Sequence, residues 1–160
     1  GTTPCLVMEF IPGENLFYLV RSRGKLPETE AVQYIRQVAS ALEVVHREGI
    51  VHRDVHPGNI MLRSNGTGEN SVSAVLIDFG LAGEIVPISV SSKLFGNEIF
   101  APYELLRRKP GFSDPKVDIY TLAASLYYAV TGQYPTKAYD RRDGEELIPP
   151  RNHVASLSNG

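Results

Sequence analysis

Two strings constrain this chain more than anything else in it: His52-Arg53-Asp54-Val55-His56-Pro57-Gly58-Asn59 and Leu76-Ile77-Asp78-Phe79-Gly80. Between them lie two β-prone runs, residues 59–63 and 74–77, joined by the turn-rich stretch 64–73. A fold that keeps both strings closes this stretch as a hairpin, which brings Asp78 back toward Asn59. Asp54 and Asn59 then share one loop, and Asp78 ends the returning strand. One carboxylate to orient a hydroxyl and two oxygen ligands for a hard cation form the set that phosphoryl transfer from a magnesium nucleotide requires. Either string alone is weak. In order, each beside a strand, they specify a site.

The remaining residues supply a core. Of 160 residues 42% are hydrophobic and the formal net charge is −2, enough apolar material for one sizeable core. That charge gives no reason to expect nucleic acid as a partner. No apolar run approaches a membrane span and no charged-then-apolar signal sequence opens the chain, so no membrane contact is expected in this segment. The single cysteine, Cys5, cannot form an internal disulfide, which is compatible with a reducing, cytoplasmic setting.

Periodicity places the elements. Residues 5–10 are apolar and β-prone except Glu9, and Pro12-Gly13 ends the run, which predicts a buried strand leaving into a turn. A short helix is predicted at about residues 15–23. Pro27 suits the first turn of a long helix, with Glu28 and Glu30 near its positive end. Val32, Ile35, Val38, Ala39, Leu42, Val45 and His46 recur at helical spacing, and Gly49 is placed to cap it. Residues 117–130 predict a second apolar helix, with Ile119, Leu122, Ala123, Leu126 and Val130 in register and Gly132 and Pro135 as stops. Residues 80–104 are irregular, a length of loop that is usually functional. Beyond Thr136 no periodicity stands out.

At these residues the chain resembles the protein-kinase superfamily, and the eukaryotic-like bacterial Ser/Thr kinases in particular: H-R-D-x-x-x-x-N followed by D-F-G is that family's signature. The resemblance implies an α+β, protein-kinase-like fold with a mainly helical C-lobe and a short β-hairpin. It implies Asp54 as the base that orients the hydroxyl, Asn59 and Asp78 as magnesium ligands, ATP as the phosphoryl donor and a protein as acceptor. Residues 6–11 look like the last N-lobe strand and hinge. Met8 would be the gatekeeper, the backbone of Glu9 and Ile11 would hold the adenine edge, and Glu14 or Asn15 would reach the ribose. Glu104 resembles the glutamate closing the activation segment, and Asp118 the aspartate that caps the catalytic loop. His52 and Phe79 would belong to a buried stack. Arg53 would pair with a phosphate on Ser89, Ser91 or Ser92.

Departures carry information too. His56 replaces the family's lysine, where it would contact the transferred phosphate. Asn97 replaces its threonine, and Ala123 a glycine. No Gly-rich phosphate loop or strand lysine precedes Cys5. The chain therefore resembles part of a kinase domain: residues 1–11 last N-lobe strand and hinge, 12–135 most of the C-lobe, 136–160 its tail. Such a part alone would be inactive. Two other readings stay open. The Asp54–Asn59 string is also similar to aminoglycoside and choline phosphotransferases and to atypical kinases, against which Arg53 and residues 100–104 argue. A pseudokinase binding module is disfavoured by the presence of Asp54, Asn59 and Asp78.

Overall fold

The computed structural model describes residues 7–66, 71–79, 98–107 and 114–158. In chain order these form β1 (Glu14–Asn15), α1 (Leu16–Arg23), α2 (Glu28–Arg47), a 3₁₀ turn (Pro57–Asn59), β2 (Ile60–Ser64), β3 (Val72–Leu76), α3 (Tyr103–Arg107), α4 (Lys116–Thr131), α5 (Ala138–Arg142) and α6 (Pro150–His153). The fold is α+β and mainly helical. No helix among the described residues is long and apolar enough to cross a membrane.

The short helix starts where a cap permits it: Asn15 accepts the Tyr18 N–H at 2.9 Å, satisfying one of the donors a helix start leaves open. In α2 the buried stripe is Ala31, Tyr34, Val38 and Leu42, turned by about one residue from the expected Val32–Ile35 face. Tyr34 makes this possible, because its hydroxyl donates to Glu30 at 2.9 Å while the ring packs inward. The helix ends in a Schellman arrangement. Ile50 N–H donates to Val45 C=O at 3.1 Å and Gly49 N–H to His46 C=O at 3.0 Å, with Gly49 at φ +73°, a conformation glycine adopts without steric cost.

The core gathers on α4, which is buried nearly all round as a central helix should be. Its contact face is only partly the expected one: Leu122 and Val130 are buried and Leu126 packs against the core, but Ile119 is 54% exposed and Ala123 is exposed, whereas Asp118, Thr121 and Ser125 are fully buried. Thr121 and Ser125 can occupy that face because their hydroxyls are bonded locally. Thr121 donates to Asp118 C=O at 3.0 Å and Ser125 to Thr121 C=O at 2.8 Å, the back-bonding open to short hydroxyl side chains. Gly132 closes the helix at φ +70°, and a Cβ there would lie 1.9 Å from the Gly24 carbonyl oxygen. The ends of α1 and α4 meet at that point, where Leu26 N–H donates to Ala129 C=O at 2.8 Å.

The antiparallel sheet has the order β1-β2-β3, with Glu14 opposite Leu62 and Ile60 opposite Leu76. Gln37 of α2 fastens it to the helices by accepting Ala74 N–H at 2.6 Å. The hairpin predicted from the two β-prone runs is present.

The strand expected over residues 5–10 is not. Residues 5 and 6 lie outside the described set; residues 7–10 form no strand, and Val7, Met8 and Phe10 are 93%, 63% and 85% exposed. A β-prone run becomes a strand only when a neighbour satisfies its backbone and packs on its side chains. Among the described residues the sheet offers it none. At the other end, α5 and α6 are helices of 5 and 4 residues, too short to leave a period. Tyr127 of α4 binds α6 and its approach: its hydroxyl donates to Ile148 C=O at 2.9 Å and lies 3.0 Å from His153 Nε2.

Candidate active site

The loop of residues 52–59 is pinned by a carboxylate far away in sequence. Asp118, fully buried in the first turn of α4, accepts Arg53 N–H on Oδ1 at 2.7 Å and His52 N–H on Oδ2 at 2.8 Å. His46 Nε2 of α2 lies 2.8 Å from the same Oδ2. A buried carboxylate is tolerable only with such donors around it, and the positive end of α4 adds to them. The anchor holds Arg53 at φ +66°, a region that non-glycine residues rarely occupy. Strain of this kind persists only where the surroundings over-determine it.

His52 joins the two strings. Its ring is fully buried, Nδ1 accepts Asp54 N–H at 3.3 Å, and Nε2 lies 3.2 Å from Ile77 C=O. The proton therefore sits on Nε2. Burial pushes the imidazole below its ordinary pKa, against Asp118, the Ile77 carbonyl, Asp54 and Asp78, all of which raise it. Phe79 meets the ring edge-on, with centroids 4.5 Å apart. The stack expected of His52 and Phe79 is formed, although Phe79 keeps 45% of its surface exposed.

Asn59 and Asp78 are brought together as the hairpin required. Ile77 N–H donates to Asn59 C=O at 2.9 Å, and Asp78 follows at φ +61°. The Asn59 amide donates to Asp54 C=O at 2.9 Å and to Asp54 Oδ2 at 3.1 Å, which turns its carbonyl end, Oδ1, away from Asp54. Oδ1 and the Asp78 carboxylate are hard oxygen donors of the kind magnesium takes. Among the described residues no group of three or more His, Cys, Asp or Glu gathers as a metal cage. Two such donors would leave the other positions of a magnesium ion to water and phosphate oxygens.

His56 faces the same space. Its Nδ1 accepts Gly58 N–H at 3.1 Å, its Nε2 lies 3.7 Å from Asp54 Oδ1, and burial pushes its pKa down against an opposing pull from Asp78. Arg53 keeps its Nε buried without a hydrogen-bond partner among the described residues. Ser89, Ser91, Ser92, Asn97 and Gly80 lie outside the described residues.

The hinge set is held differently. Met8 and Glu9 are exposed, Ile11 is half-buried, and Glu9 pairs with Arg63 of β2 at 3.1 Å. Glu14 is exposed on β1 opposite Leu62. Sequence reasoning found Asp118 but missed His46, which shares its carboxylate. Nothing local marks that histidine, because the contact joins residues 72 apart.

The sequence that builds this site has relatives. The sequence pattern of the protein kinase domain matches residues 2–153. Sperm motility kinase 2B of Mus musculus is 37% identical over 133 residues, which are 83% of this chain and 26% of that protein. The hormonally up-regulated neu tumor-associated kinase of Homo sapiens is 39% identical over 133 residues, 81% of this chain and 18% of that protein. The chain thus spans about a quarter or less of the curated relatives it matches. With the match running from end to end of the pinned loop, the hairpin and the central helix, this chain belongs to the protein kinase domain family.

Proposed function

We propose that this chain is part of a longer Ser/Thr protein kinase and carries its catalytic loop. One observation supports this above the rest: the Asn59 amide donates to the Asp54 carboxylate at 3.1 Å while Asp118 fixes the backbone beneath both. A side-chain hydroxyl of a protein substrate attacks the γ-phosphorus of ATP and its proton passes to Asp54. The bond from γ-phosphorus to the bridging oxygen breaks, and ADP leaves. Asn59 Oδ1 and Asp78 would hold magnesium, which neutralises charge on the phosphate oxygens. Met8, the backbone of Glu9 and Ile11, and Glu14 would line the adenine and ribose, on a surface that the rest of the parent protein covers. Arg53 would pair with a phosphate carried by Ser89, Ser91 or Ser92. The choice of Ser/Thr over tyrosine rests on the resemblance alone. So does a bacterial branch, toward which the mammalian relatives give no support.

The test is radiolabelled phosphate transfer by the parent protein to protein acceptors, with an aminoglycoside and choline as rival acceptors. Asp54→Ala and Asp78→Ala are expected to lower transfer to protein by roughly 10²–10⁴-fold with the fold intact. Near-wild-type rates in both variants, or label appearing only on the small acceptors, would overturn the reading.

A further inference from the structure

His56 stands where its relatives' resemblance would place a lysine, yet its surroundings are built for a neutral ring. With Gly58 N–H donating to Nδ1 at 3.1 Å, that nitrogen carries no hydrogen and the ring's proton is on Nε2. Nε2 lies 3.7 Å from Asp54 Oδ1, beyond hydrogen-bond length, so a bond between them requires the Asp54 carboxylate to turn toward the ring. The other carboxylate oxygen already accepts from Asn59. The ring has little room to leave. A Cβ on Gly58 would lie 2.8 Å from its Cε1. Phe100, itself buried, lies nearly parallel to it at 21°, with centroids 6.5 Å apart.

We propose that His56 is a positioning residue: locked by Gly58 as the Nε2–H tautomer, it offers Asp54 a neutral donor and holds the carboxylate between itself and Asn59 for the incoming hydroxyl. This rests on the protein-kinase reading above. A lysine would bring a mobile charge that follows the phosphate. His56 brings direction instead, and misplacing a reacting group by about 1 Å can cost about 10²-fold in rate.

Two substitutions separate the two halves of the ring. His56→Asn sets an oxygen where Nδ1 is and keeps the Gly58 bond, but leaves nothing at Nε2. His56→Gln carries an amide N–H near the Nε2 position and gives up the close acceptor. In the parent kinase His56→Asn is expected to lower kcat by about 10²-fold with KM for ATP changed by less than about two-fold. His56→Gln should recover most of the loss. If the histidine only buttresses the turn, the order reverses: His56→Asn keeps its kcat and His56→Gln loses it.

Imidazole ¹⁵N NMR of the parent protein gives a readout independent of turnover. The Nε2–H tautomer is expected, with its resonance moved by Asp54→Asn. An Nδ1–H tautomer, or wild-type kcat in His56→Asn, overturns the proposal alone. A parent protein inert toward every protein acceptor overturns the kinase reading on which it rests.

Discussion

Residues 52–59 are held from several sides, whereas residues 7–11 reach the body through the exposed Glu9–Arg63 pair. The exposed segment is the more apolar of the two: residues 52–59 carry Val55, whereas residues 7–11 carry Val7, Met8, Phe10 and Ile11. Val55 is fully buried and Val7 is 93% exposed. Hydrophobicity therefore did not decide which segment is ordered against the core. Supplied partners did. Asp118 accepts the backbone of the loop, His52 plugs into the hairpin carbonyl of Ile77, and Asn59 folds back on Asp54. No described strand offers residues 7–10 an equivalent.

The largest test of that difference is to remove the anchor. Asp118→Ala strands the His52 and Arg53 N–H groups and leaves His46 without its carboxylate. Breaking a buried pair from one side costs roughly 3–5 kcal/mol, and stranded backbone donors act in the same direction. The urea unfolding midpoint of the chain should fall accordingly. A loss below about 1 kcal/mol, the range of an ordinary exposed pair, would mean that the loop holds itself and that the contrast with residues 7–11 has another cause.

What could be read from the sequence follows the same line. The hairpin was legible because its strands, its turn and both ends lie within the stretch from Asn59 to Asp78 and β2 pairs with β3 directly. Asp118 was legible only through resemblance, since alone it is an acid in a helix's first turn. The buried face of α4 was read in part. Apolar spacing found Leu122, Leu126 and Val130 but also favoured Ile119 and Ala123, while the structure buries Thr121 and Ser125, whose hydroxyls are satisfied by carbonyls one turn back. A pattern of apolar residues cannot register that local satisfaction. The strand expected at residues 5–10 failed for the opposite reason: its propensity was real, but propensity is not a partner. The sequence did not show which nitrogen of His56 carries the proton, because the Gly58 N–H that occupies Nδ1 is a backbone contact no residue type announces.

A smaller effect should appear on acidification, and only in the pinned region. His52 and His56 are both held below their ordinary pKa, mainly by burial. The unfolded chain, with imidazoles near about 6.5, then binds more protons than the folded one between the two values, so stability rises with pH there. The contribution is complete above about 6.5 and is lost as pH falls through the lowered folded values. Asp118, Asp54 and Asp78 around His52, and Asp54 and Asp78 near His56, limit the loss without reversing it. Urea midpoints on either side of the reference value should show it, and His52→Phe, which keeps a ring against Phe79, should flatten the slope. An unchanged slope in that variant would remove His52 from the account.

The smallest effect is expected at the other pole of the comparison. Glu9 and Arg63 keep 71% and 36% of their side chains exposed, so water and salt screen their attraction and ordering two long side chains offsets much of what is left. Glu9→Ala should change the unfolding free energy of the chain by no more than about 0.5 kcal/mol, and added salt should leave that difference near zero. The result matters because the hinge role proposed for Glu9 belongs to its backbone, which the substitution preserves. In the parent kinase KM for ATP should likewise stay put. A stability loss above about 1 kcal/mol would show that residues 7–11 are anchored to β2 after all. A raised KM with unchanged stability would instead move the Glu9 side chain into the nucleotide site.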